Sequence, residues 1–143
     1  MILCDGSPGI GCPVIASLTG TSLALFVVEP TVSGEHDFQR VAQLASQLGV
    51  PGILVVNKAD LNLAVTFRLE ELARQRGIAV VGRIPYDRAV TDAQIVHRSV
   101  VEMSDGPAAR AIRSAWSATQ ERLRHSVPTG SSNRGFVQIA SNR

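Results

Sequence analysis

The sequence predicts an α/β domain: a parallel sheet of about four strands with helices on both faces. Three observations carry that expectation. The apolar runs Ile2–Cys4, Leu23–Val28, Gly52–Val56 and Ile78–Ile84 are continuous rather than alternating, as in strands covered on both sides. Stretches of helical periodicity separate them, so strands alternate with helices, the order of a parallel sheet with right-handed crossovers. Each run then stops at polar or turn-forming residues: Asp5, Glu29-Pro30, Asn57 to Asp60, and Pro85 to Asp87. Those are the carboxyl ends of the strands, where ligands of such sheets sit.

In chain order, Ile2–Cys4 meets Asp5 and a loop rich in glycine and proline, Gly6 to Gly11, and a short helix is expected from Pro13 to Leu18. After Leu23–Val28, Ser33 is the expected N-cap of a helix whose inward residues are Phe38, Val41, Ala42, Ala45 and Leu48. Gly49 ends that helix and Pro51 keeps it from restarting. A helix from about Leu63 to Arg76 turns Phe67, Leu69, Leu72 and Ala73 inward and closes at Gly77. Ala89 to Val96 reads as helical, and a last helix spans roughly Pro107 to His125 with Ile112, Trp116 and Leu123 as its stripe. One domain is expected over 1–125, followed by a flexible tail over 126–143 rich in Ser, Gly, Asn and Pro, in which Phe136 to Ala140 can pair weakly.

Composition narrows the function classes. The 143 residues are 45% apolar and 18% charged with a net charge of +2, a globular balance that points to no particular partner. Arg110, Arg113, Arg122 and Arg124 cluster, and read as a solvated helix face rather than a nucleic-acid or lipid patch. Cys4 and Cys12 match no zinc or iron–sulfur spacing and make no disulfide framework. No apolar run approaches the ~20 residues of a membrane span. The expectation is a soluble, cytoplasmic protein without nucleic-acid or membrane partners.

Two clusters carry chemistry. Asp5 closes a strand before a glycine-rich turn, where a carboxylate can hold the water shell of Mg²⁺ and the N–H groups of Gly6, Gly9 and Gly11 can approach a phosphate. The same residues also suit a tight turn capped by Asp5. Asn57-Lys58-Ala59-Asp60 follows a buried strand. Its amide and carboxylate can read a purine edge while the lysine stem lies over the ring, or they can simply cap the next helix.

The stretch Asp5-Gly-Ser-Pro-Gly-Ile-Gly-Cys-Pro-Val-Ile-Ala-Ser17 resembles the Walker B and switch region of MinD/ParA-superfamily ATPases. It is most similar to the branch that carries an inserted ferredoxin domain. Glu29-Pro-Thr-Val-Ser-Gly34 resembles the next loop of that branch, Val56-Asn-Lys-Ala-Asp60 its base-recognition motif, and Gly82-Arg-Ile-Pro-Tyr-Asp87 the loop that closes over adenine. The resemblance runs in order from about Ile2 to Val101. It implies a P-loop NTPase, Rossmann-like three-layer fold with ATP or ADP and Mg²⁺ as cofactors. Asp5 would hold the Mg²⁺ shell, Gly9 would stand near the γ-phosphate, and Asn57, Lys58, Asp60 and Pro85 would surround adenine. Family members also dimerise around ATP.

The sequence contains no Gly-x-x-x-x-Gly-Lys-[Ser/Thr] and no Lys-Gly-Gly-x-Gly-Lys variant. The loop that cradles the phosphates, its lysine and its Mg²⁺-binding hydroxyl are absent from it. Base contacts alone, at about 1 kcal/mol per hydrogen bond, give millimolar affinity at best, so hydrolysis by this chain alone is not expected. In the family the phosphate-loop strand lies between the Walker B strand and the strand here at Leu23–Val28. Ile2–Cys4 is therefore expected to pair directly with that second strand, to detach, or to leave a gap that another chain fills. A homodimer, or a partner supplying the missing amino-terminal half, is the expected assembly. The readings are a truncated nucleotide-binding half-domain, a non-catalytic interaction or scaffold module, and a gene fragment without function of its own.

Overall fold

The computed structural model describes residues 1–6, 11–126 and, in their backbone, 136–141. The elements run β1 (Ile2–Gly6), α1 (Cys12–Leu18), β2 (Leu23–Val28), α2 (Val32–Gln47), β3 (Gly52–Asn57), α3 (Leu63–Gln75), β4 (Ala79–Ile84), α4 (Arg88–Ile95), α5 (Val100–Met103), α6 (Pro107–Ser126) and β5 (Phe136–Ser141). The strands form one sheet in the order β1-β5-β2-β3-β4, and every pairing is parallel.

Alternate residues of β2 and β3 feed two cores. Ala24, Phe26, Val28, Leu54 and Val56 face α1, α2 and α3, where Leu18, Phe38, Val41 and Leu69 complete the larger core. Leu23, Leu25, Ile53 and Val55 face the opposite way and meet Ala115 and Leu123 of α6. In β2 and β3 the continuous apolar runs thus mean what they were expected to mean, strands covered on both faces of a parallel sheet with helices on both sides, whereas Ile2 and Leu3 of β1 and Val80 of β4 are exposed.

Several local readings change in detail. The N-cap of α2 is Thr31 rather than Ser33: the Thr31 backbone is still extended, and its Oγ1 accepts from Gly34 N at 2.9 Å. Ser33 already lies in the first turn, its Oγ 3.2 Å from that of Thr31. Leu48 is the C-cap of α2 and is exposed. Gly49 and Gly77 both adopt φ of +69°, the left-handed helix end expected of them. On α3 the buried face is Val65, Thr66, Leu69 and Ala73, whereas Phe67 is 56% exposed. The Arg83 guanidinium lies 5.0 Å from the Phe67 ring centroid. Arg83 Nε and Nη2 donate to the Glu70 carboxylate, which holds the guanidinium there and raises its pKa. Ring and cation shelter one another at the surface, so Phe67 needs no place in the core.

The largest departure concerns the first strand and the tail. β1 neither pairs with β2 nor detaches. β5, from the segment expected to be a flexible tail, lies between them: Leu3 pairs with Val137, and Val137 with Leu23. The weak pairing foreseen for Phe136 to Ala140 is a central strand. The reason is hydrogen-bond accounting. A gap between β1 and β2 would strand two rows of backbone N–H and C=O groups, and a parallel insertion satisfies both.

Candidate functional site

At the carboxyl ends of β2, β3 and β4 a pocket of about 670 Å³ opens. Val27, Ile84, Val90 and Ile112 form its apolar floor; Glu29, Asn57, Lys58, Thr91 and Gln94 supply polar groups; Pro85 and Tyr86 lie along its wall. Each side chain arrives for a local reason. Glu29 and Asn57 sit where parallel strands stop, Ile84 ends β4 and Pro85 to Asp87 follow it, Thr91 and Gln94 come from α4, and Ile112 comes from α6.

The Asn57–Asp60 loop is held by its own backbone. Asn57 Oδ1 accepts from Lys58 N at 3.1 Å, which leaves the carboxamide NH₂ as a donor. Lys58 takes a left-handed φ of 52°. Its Nζ lies 2.7 Å from Glu29 Oε1, so the ends of β2 and β3 are joined by an ion pair beside the pocket. Ala59 N donates to Ile84 O at 3.0 Å, and the buried Thr66 hydroxyl donates to Ala59 O at 2.8 Å. Asp60 is exposed and lies outside the pocket lining. Its Oδ1 accepts from Tyr86 N at 2.6 Å.

Asp87 is shared between two helices. Oδ1 accepts from Ala89 N of α4 at 2.9 Å, and Oδ2 accepts from Ala108 N of α6 at 3.3 Å. One carboxylate therefore caps α4 and holds the first turn of α6 to it.

Of the candidate residues, Asn57, Lys58 and Pro85 line the same pocket. Asp60 braces its wall from outside. Asp5 lies on β1, separated from β2 by β5. Gly9 falls outside the described residues. Among the described residues no three His, Cys, Asp or Glu side chains gather as metal ligands. Asp5 offers a single carboxylate, and that donor set does not make a Mg²⁺ site by itself. Sequence reasoning missed Glu29 as the partner of Lys58, Thr66 as the brace of the loop, and Thr91, Gln94 and Ile112 as lining. Only Thr66 left a signal, a hydroxyl on an otherwise apolar helix face. The four clustered arginines are exposed on α6, and Arg113 is spent on Asp105 at 2.8 Å. Among the described residues no helix is long and apolar enough to cross a membrane.

The arrangement suits a flat, partly polar ring: an apolar floor, an amide donor, a proline and an aromatic side chain on the wall. Comparison with known proteins agrees in fold. The chain aligns with the MinD cell division protein of Aquifex aeolicus at 23% identity and a TM-score of 0.56, over 79% of this chain and 46% of that one. With the cell division ATPase MinD of Pyrococcus furiosus the values are 16% identity, a TM-score of 0.62, and 77% and 45% of the two chains. The MinC:MinD complex of Aquifex aeolicus gives 23% identity, a TM-score of 0.56, and coverage of 80% and 46%. The fold is MinD-like. In sequence, the uncharacterized protein MJ0578 of Methanocaldococcus jannaschii is 40% identical over 58 residues, 41% of this chain and 21% of that protein. MJ0579 of the same organism is 25% identical over 104 residues, 71% of this chain and 33% of that protein. The chain thus spans a fifth to a third of these relatives and under half of the MinD chains. No protein-family profile matches the sequence.

Proposed function

We propose that this chain is the base-binding part of a MinD/ParA-like adenine-nucleotide domain, of the branch with an inserted ferredoxin domain, and that its pocket takes the ring end of ATP or ADP. The observation that carries this reading is the convergence of Asn57, Lys58 and Pro85, from two separate loops, on one pocket with an apolar floor. In this reading the Asn57 NH₂ donates to a ring nitrogen, the Lys58 stem covers one face, and Pro85 packs on the ring edge. Phosphates would extend toward the ends of β5 and β1, where Asp5 is the candidate Mg²⁺ residue; the candidate γ-phosphate residue, Gly9, lies outside the described residues. The Mg²⁺ shell there needs oxygens from the nucleotide itself. The 143 residues contain no phosphate-binding loop sequence, so binding rests on the base and no hydrolysis by this chain alone follows. A homodimer, or a polypeptide carrying the phosphate loop, is the proposed partner.

Calorimetric titration with adenosine, ADP and Mg²⁺–ATP tests the reading. The expected result is affinity near a millimolar that is similar for all three, because the phosphates add little, and that is lost in Asn57→Ala. Micromolar affinity for Mg²⁺–ATP, or turnover absent from an Asp5→Ala control, would overturn the claim of an inactive phosphate side. No heat or thermal shift with any of the three would overturn the base-binding reading.

A further inference from the structure

Asp60 stands in the motif expected to touch the ring, yet its carboxylate is engaged elsewhere. Oδ1 receives Tyr86 N–H at 2.6 Å, and Asp60 is outside the pocket lining. One residue beyond Tyr86, Asp87 is fixed by Ala89 N and Ala108 N. One residue before the Pro85-Tyr86 pair, Ile84 O is fixed by Ala59 N at 3.0 Å. The backbone is thus tied before, at and after Tyr86, in a stretch with no strand partner of its own beyond Ile84. The side chain so held is 53% exposed, and it is the one aromatic among the described pocket-lining residues.

We propose that Asp60 and Asp87 are positioning residues that clamp the backbone around Tyr86, and that the Tyr86 ring is the stacking wall for a planar heteroaromatic ring in the pocket. This rests on the ring-binding reading above and assigns Asp60 a different task within it. A half-exposed tyrosine on an untied loop would lose rotational freedom when a ring stacked on it. Tying the backbone in advance lowers that cost, so more of the stacking energy appears as affinity. Stacking of a base on an aromatic side chain is worth about a factor of ten or more in affinity.

A carboxylate that reads the ligand and one that accepts a backbone N–H respond differently to substitution. Asparagine at position 60 keeps an Oδ1 acceptor for Tyr86 N, whereas alanine does not. The experiment titrates adenosine into the wild type, Asp60→Asn, Asp60→Ala and Tyr86→Leu, and follows Tyr86 amide hydrogen exchange in the same proteins without nucleotide. The expected result is that Asp60→Asn stays within about twofold of the wild type. Asp60→Ala and Tyr86→Leu each weaken adenosine about tenfold, and their combination weakens it little further, because both remove the same stack. Tyr86 amide exchange accelerates in Asp60→Ala and not in Asp60→Asn. Loss of binding in Asp60→Asn with the Tyr86 amide still protected would make Asp60 a ligand and overturn the proposal. Binding by Tyr86→Leu equal to the wild type would overturn the stacking wall. If the wild type binds no adenosine, the ring-binding reading fails with the stack, and the exchange data alone decide the clamp. Unchanged exchange in Asp60→Ala would overturn the clamp whatever the titration shows.

Discussion

Lys58 Nζ stands 2.7 Å from Glu29 Oε1, an ion pair that links the ends of β3 and β2 at the pocket while the Lys58 backbone is held at φ 52°. The two features oppose one another. Both side chains are about a third exposed, at 39% and 33%, so solvent screening limits the pair to about 0.5 kcal/mol. A non-glycine residue in the left-handed region costs about 1 kcal/mol. Lys58→Gly should therefore be more stable than Lys58→Ala by roughly 1 kcal/mol, although both lose the charge. Urea melts of the two variants check this. Equal midpoints would mean that Lys58 is unstrained.

Thr66 is completely buried, and its hydroxyl donates to Ala59 O at 2.8 Å. Thr66→Val keeps the shape and removes the donor, leaving a carbonyl without that bond. The expected cost is about 1–2 kcal/mol. The Asn57–Asp60 loop should loosen as well, seen as faster exchange of the Ala59 and Asp60 amides.

Gly34 sits where α2 turns back over the end of β2. A Cβ there would meet Glu29 O at 2.4 Å, and that atom is backbone. Gly34→Ala must shift the Glu29-Pro30 turn, at a cost of roughly 2 kcal/mol or more. It should also displace Glu29 from Lys58. A thermal melt measures the first effect; the second appears as a smaller effect of Glu29→Gln on stability in the Gly34→Ala background than in the wild type.

Ile139 pairs with Asp5 on one side and Leu25 on the other. Proline there cannot serve an interior strand, so Ile139→Pro should destabilise the domain by roughly 3 kcal/mol and expose β1 and β2 to self-association. Circular dichroism melts with light scattering read both. A variant that melts and scatters like the wild type would show that β5 contributes nothing to the sheet.

The sheet was legible because burial on both faces leaves a period-free apolar run, which a helix or an exposed strand does not produce. Gly49 and Gly77 were legible for a similarly local reason. Phe67 was misread because periodicity fixes a helix face only to within one turn; Arg83, sixteen positions later, decides that the ring stays outside. β5 is the extreme case. Nothing inside Phe136 to Ser141 distinguishes a central strand from a weak edge, since the difference lies in the vacancy between β1 and β2. The pocket was half legible. Glu29, Asn57, Lys58 and Pro85 stand at strand ends and were visible as such, whereas Thr91, Gln94 and Ile112, and the pairing of Glu29 with Lys58, arrive by tertiary folding. Asp60 shows the limit from the other side: the motif named the residue, and the hydrogen bond to Tyr86 N gives its carboxylate a different partner.

The insertion of β5 also sets an order of events. Among the described residues β1 pairs with β5 alone, which comes far later in the sequence, and β2 pairs with β5 as well as β3, whereas β3 and β4 pair with strands close in sequence. During synthesis the β2–β4 unit with α2 and α3 can condense early, while Ile2–Gly6 waits unpaired until residue 141 has emerged. Contacts of such long sequence separation slow folding and prolong the exposure of sticky intermediates. β1 precedes β2, β3 and β4 in the sequence, yet its pairing waits for β5.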